Sequence, residues 1–407
     1  MRYLITATLL LVLGCSGQPD ASGPPFETWD SAGVQIVRSN RPIQEDGNGW
    51  AVSDRPTLVI ATHPVEPAQV IHWIRGVVRL SDGRIATISE SSRNLLFFNV
   101  VGELTQVVGR DGGGPGEFRS PFQLSRLPGD TLVVTEKSDR RSWFSPTGEF
   151  MRVVTPDRDQ SIAIIPVEYR VGFGQFVAPS FGLWEANERD RSDRQVIGRR
   201  WRTPRSYLLA RDDGTEPKIL GWFEGWERFN LGEGVARWAF FGRNTWATSG
   251  GDPPRIYIGD SQSFDLKVFD LSGRLVQIIR DAVPQTPIED GDVEWERWEV
   301  LDWAEGMGRL EQWIRYADAM PIPDQKPAFE YLIVDSEGHL WVKEYCSYKP
   351  DPIQYRIYSP DGIRVGTVKL PGHVRVFDIG PDYVLGVGHD RNYVETIQMF
   401  NLRRPRD

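Results

Sequence analysis

The sequence predicts an all-β fold, a six-bladed β-propeller of four-stranded antiparallel blades carrying a small helical insertion. Three observations predict it. Short β-rich runs recur in groups of four, separated by turns rich in Gly, Asp and Pro. Gly (40) and Pro (29) among 407 residues suit many tight turns rather than long helices. A composition 40% hydrophobic and 25% charged belongs to a globular chain, not a disordered or fibrous one. The net charge of −9 argues against a nucleic-acid polyanion as the main partner.

In chain order, residues 1–14 read as a targeting segment outside the fold. Arg2 opens it, and Tyr3 to Leu13 is an uncharged apolar run, well short of the ~20 residues that span a bilayer. The run ends in Val12, Leu13, Gly14 and Cys15, which resembles a bacterial lipoprotein signal. That resemblance implies cleavage before Cys15 and its acylation. Ser16 in place of an acidic residue then implies an outer-membrane anchor facing the periplasm or exterior. An ordinary secretory peptide with an incidental cysteine is the alternative. Residues 15–56 are expected to form a tether and N-terminal extension, Ser16 to Pro25 having linker composition. The one other cysteine, Cys346, makes no disulfide framework and suits a small buried apolar position.

The propeller is expected over 57–402. Its first clear unit holds Val77–Leu80, Arg84–Ser89, Asn94–Phe98 and Leu104–Val108, with turns at Ser81–Gly83 and Val101–Glu103. The second holds Phe122–Leu127, Thr131–Val134, Ser142–Phe144 and Phe150–Val154. Two more cover 255–279 and 331–368, and residues 161–225 carry a degenerate copy. The last unit, from Val374 to Phe400, stops without a fourth run. A ring must leave no open edge, so Thr57–Ile60 is expected to supply the missing outer strand.

These features resemble NHL-repeat-like six-bladed propellers, and specifically bacterial lipoproteins of that type. The glycine-rich link Gly109 to Phe118, ending Gly116-Glu117-Phe118, carries the resemblance with the Asp-Gly turns and aromatic third strands. It lacks the Gly-Lys-Ser/Thr of a phosphate loop and is followed by strand residues, so it reads as a blade connector. Some NHL-like propellers, peptidylglycine lyases among them, hold zinc in the channel with three histidines. Here His72 and His373 each precede an innermost strand, and no third matches, since His339 falls in a turn. Acidic residues near the ends of second strands, Glu90, Glu136, Asp260, Glu344 and Asp390, could form a calcium-binding ring. The resemblance instead implies hydrogen bonds from such residues to the neighbouring loop.

Two insertions break the repeat. Trp184–Arg205 carries seven arginines, read as a solvated hairpin extension or as a contact for an anion or acidic sugar. Glu289–Met320 is the convincing helical stretch, divided by Gly306 and Gly308. Its Trp295, Trp298, Trp303, Leu310, Trp313 and Ile314 suit a cap packed on one propeller face, or an aromatic platform for sugar rings or a peptide. Ten of the fifteen tryptophans fall between 184 and 313.

No nucleophile elbow, His-Glu-x-x-His or Cys-x-x-Cys motif occurs, so catalytic residues stay unassigned and no cofactor is expected. The channel mouth is expected at His72, Arg75, Arg119, Gln123, Arg243, Glu330 and His373. The function expected is a lipid-anchored envelope module that binds or scaffolds a protein, peptide or glycan. The alternative is a lactonase- or lyase-type enzyme using calcium or zinc in the channel.

Overall fold

A computed structural model describes residues 23–43, 49–61, 72–155, 169–172, 175–180, 197–213, 215, 217–231, 236–282, 285–346, 352–372, 374–389 and 394–405. Apolar runs bounded by Gly and Asp turns become strands. In the first sheet Ile74–Arg79, Ile85–Ser89, Asn94–Phe98 and Leu104–Val108 pair antiparallel in chain order. The second repeats the pattern with Pro121–Arg126, Leu132–Glu136, Arg141–Phe144 and Phe150–Val154. The fourth is built on Thr245–Gly250, Arg255–Asp260, Asp265–Phe269 and Leu275–Asp281. The fifth comprises Tyr331–Val334, Leu340–Lys343, Ile353–Tyr358 and Arg364–Leu370.

Burial follows position within a sheet. Ile85–Ser89 is buried along its whole length, whereas the outermost Phe150–Val154 is mostly exposed. A strand covered on both faces carries apolar residues on both, not at alternate positions alone, and its polar groups are bonded, as Thr87 is to the Gly76 carbonyl at 2.8 Å. The cores therefore lie between sheets: Ile88, Leu95 and Phe97 of the first pack with Leu124, Leu132 and Phe144 of the second. Each such side chain contributes roughly 1.5–3 kcal/mol on burial.

Neighbouring sheets also meet through their innermost strands. Ile74–Arg79 lies against Pro121–Arg126, and Thr245–Gly250 lies between Tyr169–Gly172 and Tyr331–Val334. Arg375–Ile379, innermost in the sixth sheet, packs on Ile74–Arg79, and the Arg79 N–H donates to Asp378 Oδ2 at 2.9 Å. The architecture is an all-β propeller. Its sixth sheet takes Arg375–Ile379, Tyr383–His389 and Glu395–Arg403 from the C-terminus and Leu58–Ala61 from the N-terminus, with Ile60 opposite Ile397.

The glycine-rich link is a connector pinned by polar contacts. Arg140 donates to the carbonyls of Gly114 and Glu117 at 2.6 and 2.7 Å, and Glu117 accepts from Arg110 and from the Gly114 N–H. Phe118 is fully buried. Gly109 has φ +85°, and a Cβ there would lie 2.5 Å from the Phe118 ring, so no other residue fits.

The extension ahead of the closing strand contributes strands of its own. Phe26–Ser31 and Val34–Ser39 form a hairpin, and the second of these pairs in parallel with Leu275–Asp281 on the fourth sheet. The chain then crosses the fifth sheet, where the Trp50 ring meets those of Trp341 and His339 at 5.6 and 5.0 Å. Ala51–Val52 finally pairs with Leu402 and Arg403. Residues 1–22, with Cys15, lie outside the described residues.

The third sheet differs most from expectation. Its strands are Tyr169–Gly172, Gln175–Ser180, the long Arg200–Arg211 and Lys218–Asn230, and a short fifth, Ala236–Trp238. Of the seven insertion arginines, Arg189, Arg191 and Arg194 lie outside the described residues. Arg200 bonds Glu227 at 3.0 Å, Arg202 bonds Asp260 at 2.9 Å, and Arg205 is buried. Arg200 and Arg202 are thus engaged with carboxylates of the fold, while Arg199 is exposed.

The helical insertion forms α1, Asp290–Gly306, and α2, Leu310–Ala319, divided at Gly306–Gly308. A reciprocal capping box between Glu289 and Asp292 starts α1. The expected aromatic stripe splits. Trp313, with Tyr316 and Ala317, packs on Phe229, Phe240 and Phe241, whereas Trp298 and Trp303 are 53% and 51% exposed. The spacing fails on α1 because its fully buried contact is the small Ala304.

Candidate functional site

A cavity of about 710 Å³ opens where the innermost strands of the fourth, fifth and sixth sheets begin, under α1. Trp246, Tyr331 and Arg375 come from those strands. Trp226 comes from the long strand Lys218–Asn230, and Trp238 from the short strand paired beside it. Glu296 and Val300, one helical turn apart on α1, face the same space, as does Tyr345 just beyond Leu340–Lys343.

The walls are aromatic. Trp226 and Trp238 stack with centroids 5.2 Å apart, and Trp246 meets Trp226 edge-on at 5.5 Å. Tyr331 continues the series at 6.1 Å from Trp246. Trp238 is 68% exposed, an apolar face offered at the mouth. Cavities of this size and lining, with a few convergent polar groups, are the usual form of small-ligand sites.

Three carboxylates and two cations line it. Burial pushes Glu227 up, but hydrogen bonding and charge from Arg200, with the Arg243 N–H donating at 3.1 Å, hold it below the usual carboxylate range. Glu330 pairs with Lys343. Arg375 donates to the Ile74 carbonyl at 2.7 Å and lies 3.9 Å from Glu395; burial lowers its pKa. Glu296 differs. Burial raises it to about 7, the negative charges of Glu299, Glu330 and Asp292 add to the rise, and the Tyr345 hydroxyl donates to Oε1 at 2.9 Å, opposing it. Among the described residues no basic side chain pairs with it.

Of the residues expected at the channel mouth, Glu330 lines this cavity, and Arg243 touches it through the bond of its N–H to Glu227. Arg75 is tied to Glu90 at 2.5 Å, and the Arg119 N–H donates to Glu136 at 2.6 Å while its side chain is exposed. His72 is exposed and bonds Ser91 through its backbone. Gln123 lines a smaller cavity of about 280 Å³ at the other ends of the innermost strands, beside Arg126 and Asp378. Tyr331 and Phe377 border both cavities. His373 lies outside the described residues. Sequence reasoning passed over Trp226, Trp238, Trp246, Glu296, Lys343, Tyr345 and Arg375; the density of tryptophan between 184 and 313 was the available signal.

The described acidic residues at second-strand ends are engaged by neighbouring groups. Glu136 accepts the N–H groups of Arg119 and Ser120, Asp260 holds Arg202, and Glu344 holds Arg356 at 2.7 Å. Asp390 lies outside the described residues. Among the described residues no group of three or more His, Cys, Asp or Glu is placed to hold a metal ion.

No protein-family model matches the chain, and no curated protein does. Among solved structures, a candidate exported protein from Bacteroides fragilis is 9% identical, with a TM-score of 0.47 over 91% of this chain and 100% of its own. A DUF4221 family member from Bacteroides vulgatus is 8% identical, also at 0.47, over 88% and 99%. Regucalcin from Agrobacterium tumefaciens, a calcium-binding protein, is 11% identical at 0.40, over 87% and 95%. Function does not travel with fold at such distances.

Proposed function

We propose that this chain is a lipid-anchored, six-bladed β-propeller of the cell envelope, related in type to NHL-repeat propellers. In this reading it binds a peptide or glycan, free or presented by a protein it scaffolds. The six sheets and the N-terminal strand Leu58–Ala61 beside Glu395–Arg403 support one closed ring. The apolar run before Cys15 supports export, and Ser16 after it, in place of an acidic residue, supports anchoring at the outer membrane. No helix of the described residues is long and apolar enough to cross a membrane.

The binding role rests on one observation, the aromatic cavity under α1 with Trp226 and Trp238 at its mouth. Sugar rings and apolar side chains both stack on such a face. The mature chain is to be titrated with short peptides and oligosaccharides, read by tryptophan fluorescence. Quenching at submillimolar concentration, weakened at least tenfold in Trp238→Ala, is expected. A panel without effect, or quenching unchanged by the substitution, contradicts the reading.

The alternative enzyme reading needs several ligands converging on a divalent ion. Glu227 and Glu330 are already committed to Arg200 and Lys343. Metal content and melting temperature before and after EDTA separate the two: one equivalent of calcium or zinc, lost with a fall in Tm, would favour the enzyme.

A further inference from the structure

We infer that the cavity under α1 selects an organic cation, an ammonium group carried on an apolar body. The ammonium meets the Glu296 carboxylate, and the body meets the Trp226–Trp238 face. This rests on the reading of that cavity as the ligand site.

The argument is one of charge accounting inside an apolar space. Glu227 and Glu330 have their own cations, Arg200 and Lys343. Arg375 is turned to the Ile74 carbonyl and toward Glu395. Glu296 is left with one neutral donor, Tyr345, and with acidic neighbours, Glu299, Glu330 and Asp292. Lys326 is spent on Asp292 at 2.7 Å. A carboxylate half-buried without a cation is costly, and a ligand ammonium removes that cost by supplying the missing charge. The rings favour the same ligand, because their faces attract cations as well as apolar surface. A carboxylate ligand would meet Glu296 with repulsion.

The test uses the mature chain and three probes of one shape: phenethylammonium, 2-phenylethanol and 3-phenylpropanoate at pH 8, titrated by calorimetry. The ammonium is expected to bind at least tenfold more tightly than the alcohol, and the carboxylate most weakly. In Glu296→Gln that preference is expected to fall at least fivefold while the alcohol binds as before. Trp238→Ala is expected to weaken all three. Wild-type selectivity decides the matter even if a variant folds poorly. If ammonium and alcohol bind equally, or the carboxylate binds best, and Trp238→Ala still weakens them, the cation inference falls and the cavity reading stands. If no probe binds at millimolar concentration, both fall.

Discussion

Glu296 carries an electrostatic cost that is readable as a pH dependence. Burial raises its native pKa to about 7 from the ordinary 4.5 of an exposed glutamate, so between these values the native state holds a proton that the unfolded chain has released. Stability attributable to this group therefore falls as pH rises from about 4.5 to about 7 and is level above. The groups facing it are Tyr345, Glu299, Glu330 with its partner Lys343, and Asp292 with its partner Lys326. Glu296→Gln removes the charge while keeping an acceptor for Tyr345. The variant is expected to melt above the wild type at pH 8, with an advantage that shrinks toward pH 4.5. Melting curves at four pH values check this, and a constant offset would contradict it.

Elements show where sequence spacing informs and where it fails. The four-run units around 74–108 and 121–154 were legible because strands covered on both faces are rich in apolar residues at successive positions, and their tight turns favour Gly. Gly306 and Gly308 likewise marked the break between α1 and α2. The aromatic stripe misled on α1, since large apolar residues recur on a helix whether or not a surface receives them. Trp313 lies against Tyr316 at 5.4 Å, beneath the Arg237 guanidinium at 4.2 Å from its ring. Trp313→Ala is expected to cost about 3 kcal/mol, and Trp298→Ala within about 0.5 kcal/mol. Urea unfolding of both variants measures the difference, and equal losses would show that α1 is buried as deeply as α2.

At the scale of the molecule the ring depends on chain far from its last strand. Leu58–Ala61 covers Glu395–Arg403, Ala51–Val52 extends that contact, and the hairpin at 26–39 lies on the fourth sheet. Removal of residues 16–61 would leave an unpaired edge and strip the apolar Ile397 and Leu402 of Ile60 and Val52. That truncation is expected to aggregate and to lose its cooperative melting transition; light scattering and calorimetry report both. Full stability after removal of 16–61 would contradict closure by the N-terminal strand.

The closing strand was legible because the last unit visibly lacked a run. The site was not, for a reason of topology. It draws Trp226, Trp238, Trp246, Glu296, Tyr345 and Arg375 from four sheets and a helix, and no local motif joins them. Placing residues at strand starts found Glu330 and led to Arg75, which serves an ion pair with Glu90.

The most direct test is a crystal of the mature chain soaked with phenethylammonium. The ligand is expected in the cavity beneath α1, its nitrogen within hydrogen-bond reach of Glu296 and its ring on Trp238. A ligand seated in the opposite cavity beside Arg126 and Asp378, or an empty site at saturating concentration, would contradict the assignment.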